Sequence, residues 1–276
     1  MSNTPSALPR PLPVEEIVRR IAARGPAVVA LSGGVDSGLV AALAREALGA
    51  RATAVTLTGA AVSAEEVDAA RALARAVGID HRTIPADPLG NAEYRSNGSD
   101  RCYHCRSVET AAVRAWGVGR GFDQYLDGVH ADDLGDDRPG LRAMDEAGFL
   151  HPLLAAGWGK AAVRDAARRR KLPNWDRPSN ACLASRVAHG EPITPELLRR
   201  IESAEAVLTA QGFRRVRVRF DASGARIEVD PDEVGRLSAE PVVSEVMHRL
   251  GDLGFDRVSI DPRGYATLRG ALPVVR

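Results

Sequence analysis

Aromatic residues make up only 4% of the 276-residue chain, and the formal charge is +1, so few rings could stack on unpaired bases and no general attraction to nucleic acid exists. Nucleic acid is not an expected partner. No apolar run approaches the roughly 18 to 20 residues that span a bilayer, and the opening MSNTPSALPRPLP lacks the charged-then-apolar pattern of a secretory signal. A cytoplasmic protein with no membrane partner is expected. Lysine occurs only at Lys160 and Lys171, although Lys and Arg together number 37. Positive charge is therefore almost wholly arginine, and a lone arginine carries little information. With three cysteines in a cytoplasmic chain, a structural disulfide is not expected, and one cysteine would stay unpaired in any case.

The length suffices for two unequal domains. Residues 1–13 hold four prolines and read as a flexible arm. A helix over 14–24 precedes the apolar run Ala27–Leu31, which reads as a buried strand; Leu39, Val40, Leu43, Ala44 and Ala47 then mark a helix. The alternation continues with a strand over 52–58 and a helix whose Ser63 and Glu66 form a capping box, stopped by Gly78. A strand over 81–84, an irregular stretch to Arg106, a helix to about Val118 and a strand over 125–129 follow. This order predicts an α/β fold, a doubly wound parallel sheet over 14–180, with ligands at the carboxyl ends of its strands. Beyond Gly190 the pattern changes to a helix over 195–211, an antiparallel pair at 216–220 and 225–229, a helix over 231–250 and a strand at 257–260. Residues 190–276 thus form a smaller α+β domain.

Two adjacent glycines after a buried strand allow a tight turn whose amides converge on an anion, and the following helix aims its positive end at the same place. The loop Ser32-Gly33-Gly34-Val35-Asp36-Ser37 meets that description, and Ser32 and Ser37 add hydroxyls. Asp36, odd beside phosphate, is either a magnesium ligand or an organiser of the loop amides. The lysine of the Walker pattern is missing, so this is not an ordinary P-loop. Asp132, Asp133, Asp136 and Asp137 form an acidic stretch that either holds a hard cation or is a solvated turn. In Arg215-Val-Arg-Val-Arg219 the arginines share one face of a strand, and a bound phosphate would offset their repulsion.

SGGVDS resembles the PP-loop ATP pyrophosphatases, which cleave ATP between its α and β phosphates. Asp127-Gly128, the run Ala131 to Gly140, Ala181-Cys182-Leu-Ala-Ser185-Arg186, Val216 to Arg219 and Ala225 to Glu228 resemble the LarE sulfur transferases in one order along residues 14–265. The resemblance implies ATP and Mg2+ as cofactors and a pyridinium dicarboxylate mononucleotide as substrate. Its carboxylates would be adenylated and converted to thiocarboxylates during nickel-pincer cofactor assembly. It implies ATP binding by Ser32, Gly33, Gly34, Asp36, Ser37 and Gly128, with Asp36, Ser37 and Cys182 catalytic. Ser185, Arg186, Arg217 and Arg219 would hold the substrate phosphate, and Asp132, Asp133, Asp136 and Glu228 a divalent cation. A homo-oligomer is expected.

Cys102-Tyr-His-Cys105 with Cys182 gives three thiols and no fourth. Three leave one metal position open, as an exchangeable iron–sulfur cluster requires; His104 or His189 would instead complete a zinc site, and a lone redox pair is a third reading. Within the LarE family one subclass holds a [4Fe-4S] cluster on three such cysteines and another sacrifices the sulfur at the position of Cys182. The extra pair places this sequence with the cluster subclass, recharged by a sulfide or iron–sulfur donor. A PP-loop tRNA thiolase and a non-catalytic metal or nucleotide carrier are the rival functions; the first would use Arg168 to Lys171 and Arg214 to Arg219 as an RNA surface.

Overall fold

The computed structural model describes residues 11–135, 139–178 and 181–265. They fall into two units, one drawn from Met1–Asp87 and Cys102–Asn180, the other from Pro88–Arg101 and Ala181–Arg276.

The chain opens with α1 (Val14–Ala22), β1 (Ala27–Ala30), α2 (Val35–Leu48), β2 (Ala52–Thr58), α3 (Ala64–Val77) and β3 (Asp80–Pro85). After α4 (Ala92–Ser96), which belongs to the second unit, come α5 (Arg101–Gly117), β4 (Gln124–Leu126), α6 (Pro139–Glu146), α7 (Pro152–Ala155) and α8 (Lys160–Arg169). The first unit's four strands are parallel in the order β3-β2-β1-β4. On one face Ala27 and Val29 pack with Ile17, Leu39, Leu43 and Val163 from α1, α2 and α8. On the other, Val28 and Val55 pack with Val113, Met144 and Phe149. The central strands β1 and β2 are therefore covered on both sides, as their apolar runs require, while β3, Asp80-His-Arg-Thr-Ile-Pro85, is a largely exposed edge.

Local chemistry places these elements. Ser63 Oγ accepts Glu66 N–H at 3.3 Å, and Gly78 ends α3 at φ 72°. Helix α2 is buried around most of its circumference, and small residues make that possible: a Cβ at Gly38 would lie 2.6 Å from Leu73 Cδ2. The chain runs outward from β1 through β2 to β3, then returns to pair β4 on the other side of β1. This reversal makes the carboxyl ends of β1 and β4 a topological switch point, where ligands of such sheets bind.

The second unit comprises α4, α9 (Pro195–Ala210), β5 (Val216–Asp221), β6 (Gly224–Val229), α10 (Val234–Leu237), α11 (Val242–Asp252) and β7 (Val258–Ile260). Its sheet has the order β5-β6-β7, antiparallel between β5 and β6 and parallel between β6 and β7. Residues 88–101 join this unit through Asn97, a fully buried left-handed residue at φ 57°. Its Nδ2 donates to Ala188 O at 2.7 Å and Glu191 O at 2.9 Å, while Ile193 N donates to Arg95 O at 2.9 Å.

Four differences from the sequence reading are physical. Helix α5 starts at Arg101, so Cys102 and Cys105 stand on a helix and not in an irregular stretch. The expected helix over 231–250 is broken before Pro241, whose ring and missing N–H prevent α10 from running on into α11. Strand β4 ends at Leu126, leaving Asp127 to Val129 as loop. Residues 1–10 of the expected arm lie outside the described residues, but Leu12 is held, donating its N–H to Ala156 O at 2.9 Å and accepting from Trp158 Nε1 at 2.8 Å. Among the described residues no helix is long and apolar enough to cross a membrane.

Candidate active site

The loop between β1 and α2 is built tightly. Leu31 N donates to Val55 O at 2.8 Å and Leu31 O accepts Thr56 Oγ1 at 2.7 Å, which fixes the strand end. Gly33 sits at φ 79°, and a Cβ there would lie 3.0 Å from Ala70 N and 3.1 Å from Glu66 O, so both its conformation and its contact with α3 demand glycine. Ser37 Oγ donates to Gly34 O at 3.3 Å, accepts Ser32 N at 3.2 Å and lies 3.1 Å from Ser32 Oγ. Gly34 is the N-cap of α2 and offers no side-chain cap. The two hydroxyls thus stand together beside the N-terminus of α2, whose first-turn amides have no side-chain cap, an arrangement suited to an anion.

The loop after β4 lies against this turn. A Cβ at Gly128 would be 2.5 Å from Ser37 N and 2.8 Å from Asp36 C, so only glycine permits the approach. Asp127, 4% exposed, accepts Val129 N at 2.9 Å and takes His151 Nδ1–H at 2.8 Å; His151 Nε2 reaches Asp145 Oδ1 at 2.9 Å. Burial by itself would lower the His151 pKa, but the hydrogen bond and charge of Asp127, joined by Asp145, raise it above the ordinary histidine value.

Beside the loop Lys160 Nζ donates to both oxygens of Asp36, at 2.8 and 2.6 Å, with each side chain 25% exposed. His130 Nε2 lies 3.7 Å from the same carboxylate. Sequence reasoning missed Lys160, His130 and His151. For Lys160 a signal existed, since a lysine is rare in a chain whose other basic residues are nearly all arginine. The neighbouring acids have local tasks: Asp132 Oδ2 accepts Lys160 N at 2.8 Å at the start of α8, and Asp133 Oδ2 accepts His130 N at 3.0 Å. Asp136 lies outside the described residues.

In the second unit Cys182 precedes a short 3-10 turn, Leu183–Arg186. Arg186, 3% exposed, forms a bidentate pair with Glu205 at 2.9 and 3.0 Å and donates to Ala181 O, to Cys182 O at 3.0 Å and to Ser185 Oγ at 3.2 Å. It braces the backbone around Cys182. Arg219 donates to Ser185 O at 3.0 Å and to Glu228 Oε2 at 3.1 Å. Glu228, 8% exposed, also pairs with Arg226 at 3.4 Å, so arginines occupy both of its oxygens. Arg217 lies over the Tyr265 ring at 5.5 Å, and burial followed by the Arg186 charge lowers its pKa. A desolvated guanidinium among others of its sign is suited to an anion.

Cys102 and Cys105, three residues apart in the first turn of α5, share one helix face. Cys105 Sγ donates to Glu109 Oε1 at 3.4 Å. They lie in the first unit and Cys182 in the second. His189 Nδ1 lies 3.1 Å from Gly98 O. Among the described residues no three His, Cys, Asp or Glu side chains form a group that could hold a metal ion. The donor set nevertheless suits the two expected metals in kind: thiols for iron–sulfur, and one loop carboxylate, Asp36, for a magnesium ion that would complete its shell with phosphate and water.

Comparison with known proteins converges on this loop. The asparagine synthase family model matches residues 14–93, which include it. The chain is 32% identical over 242 residues to the pyridinium-3,5-bisthiocarboxylic acid mononucleotide synthase of Lactiplantibacillus plantarum, covering 87% of each chain. It belongs to the LarE family. The uncharacterised protein slr1717 of Synechocystis is 37% identical over 87% of this chain and 89% of its own. The uncharacterised protein MJ0830 of Methanocaldococcus jannaschii is 26% identical over 85% of this chain and 88% of its own. With its PP-loop and its LarE membership, the chain is an ATP-dependent sulfur transferase.

Proposed function

We propose that this chain adenylates the carboxylates of a pyridinium dicarboxylate mononucleotide and converts them to thiocarboxylates for a nickel-pincer cofactor. One observation carries the reading: at the β1–β4 reversal a glycine loop suited to phosphate carries Asp36 paired with Lys160, in a chain collinear with a bisthiocarboxylic acid mononucleotide synthase.

A carboxylate oxygen attacks the α-phosphorus of ATP, the bond to the bridging oxygen breaks, and pyrophosphate leaves with that electron pair. The amides of α2, Ser32 and Ser37 receive the negative charge, and Lys160 supplies a cation beside it. Asp36 would hold magnesium, which supplies Lewis-acid stabilisation when bound. A sulfur nucleophile then attacks the activated carbonyl carbon, and AMP departs with the electrons of the acyl–oxygen bond. Arg217 and Arg219 hold the phosphate of the mononucleotide, a role supported by the desolvation of Arg217.

For the sulfur, Cys102, Cys105 and Cys182 would carry a [4Fe-4S] cluster, which would supply an exchangeable sulfide for transfer when bound. The paired thiols on one face of α5 support this reading. The test of the overall reaction is pyrophosphate release from ATP with the dicarboxylate mononucleotide present and absent. Release is expected to depend on the mononucleotide and to fall about a hundredfold or more in Asp36→Asn, with the melting temperature nearly unchanged. Equal release by the variant would remove Asp36 from the reaction.

A further inference from the structure

The PP-loop is braced from behind by a side chain that none of these steps uses. Asn174, 8% exposed in the turn after α8, donates Nδ2–H to Gly33 O at 3.1 Å. Its Oδ1 is buried with no hydrogen-bond partner, a cost that an apolar residue of similar size would avoid. The amide is also closely confined, since a Cβ at Gly38 would lie 3.1 Å from Asn174 Nδ2.

What this bond does to the loop follows from peptide geometry. The Gly33–Gly34 bond is trans, because the one cis bond among the described residues is Glu240–Pro241. In a trans peptide the C=O and the following N–H point in opposite directions. Holding Gly33 O toward Asn174 turns the Gly34 N–H the other way, where its acceptor is Ser32 Oγ at a long 3.4 Å. The donor is thus aimed but weakly engaged. Consecutive glycines leave this peptide free to rotate unless something outside the loop holds it.

We propose that Asn174 is a positioning residue for ATP: by fixing the Gly33 carbonyl it aims the Gly34 amide at the phosphate chain. The inference rests on the ATP reading of the loop. It makes a specific demand, since losing the brace should weaken recognition of phosphate and leave recognition of the nucleoside intact.

The test uses the full chain with Asn174→Leu, which removes the donor and the orphaned acceptor without adding charge and so carries the conclusion, and Asn174→Asp, which keeps the shape, loses the donor and adds a negative charge. Binding of ATP with magnesium and of adenosine is measured by calorimetry. Both variants are expected to bind ATP about tenfold or more weakly, as loss of an aligned charge-assisted hydrogen bond implies, with adenosine affinity held within about twofold. Unchanged ATP affinity, or an equal loss for ATP and adenosine, would overturn the proposal, the second by marking Asn174 as general support. A wild-type chain that binds ATP no better than adenosine would overturn the loop reading itself and this inference with it.

Discussion

Lys160 and Asp36 form a direct electrostatic contact at the loop. Each is a quarter exposed, so solvent screening limits their pairing to about 1 kcal/mol or less of stability. Their significance is placement: a carboxylate at the loop needs a cation before phosphate can approach. Lys160→Met, which keeps most of the stem, is expected to raise the KM for ATP about tenfold with little change in melting temperature. A pyrophosphate-release assay that finds KM unmoved would reduce the pair to a surface bridge. His151 is different because its partner Asp127 is buried. Its raised pKa means that the folded chain holds the proton more tightly, so this stabilisation is complete below the ordinary value of 6.5 and is lost as pH rises through the higher folded value. The melting temperature of wild type should therefore exceed that of His151→Gln most at about pH 6, and the gap should narrow toward about pH 8. A gap that widens with pH would refute the assignment of charge.

At the scale of elements, the site depends on how closely the β4 loop approaches the first turn of α2. Gly128 sets that distance. Adding one carbon 2.5 Å from Ser37 N forces either the loop or the helix start to move. Gly128→Ala should cost about 1–3 kcal/mol of stability and raise the KM for ATP as the amides of α2 shift. Denaturant unfolding beside ATP titration checks this, and a variant that matches wild type in both would show that the contact is looser than the structure has it. Much of this element level was legible in sequence: the Ser63 cap, the Gly78 stop and the bounds of β2 follow from local chemistry. Helices α6, α7 and α8, by contrast, are short, and α8 carries a single large apolar residue, Val163, among alanines and charges. Lys160 was overlooked with them.

For the whole molecule the prediction concerns the source of sulfur. Cys102 and Cys105 belong to one unit and Cys182 to the other, and the proposed cluster uses all three. An anaerobic preparation is expected to contain about four iron and four sulfide per chain, and to make several thiocarboxylates per chain when sulfide is supplied. Mass spectrometry after turnover decides the matter. Loss of one H2S at Cys182, with product stopping at one sulfur per chain, would replace the cluster reading by the sacrificial route.

The sequence by itself determined the doubly wound sheet, the phosphate loop and the family, because these rest on local signals: apolar runs, adjacent glycines and motifs contiguous in the chain. Only the tertiary structure decided which groups serve that loop. Lys160 meets Asp36 across 124 residues, and Asn174 meets Gly33 across 141. Residues 88–101 likewise join the second unit through Asn97, whose partners lie about ninety positions away. No local pattern encodes such pairings. They arise because a parallel sheet brings strand ends from distant parts of the chain to one edge, and buried polar groups there must find partners wherever the fold supplies them.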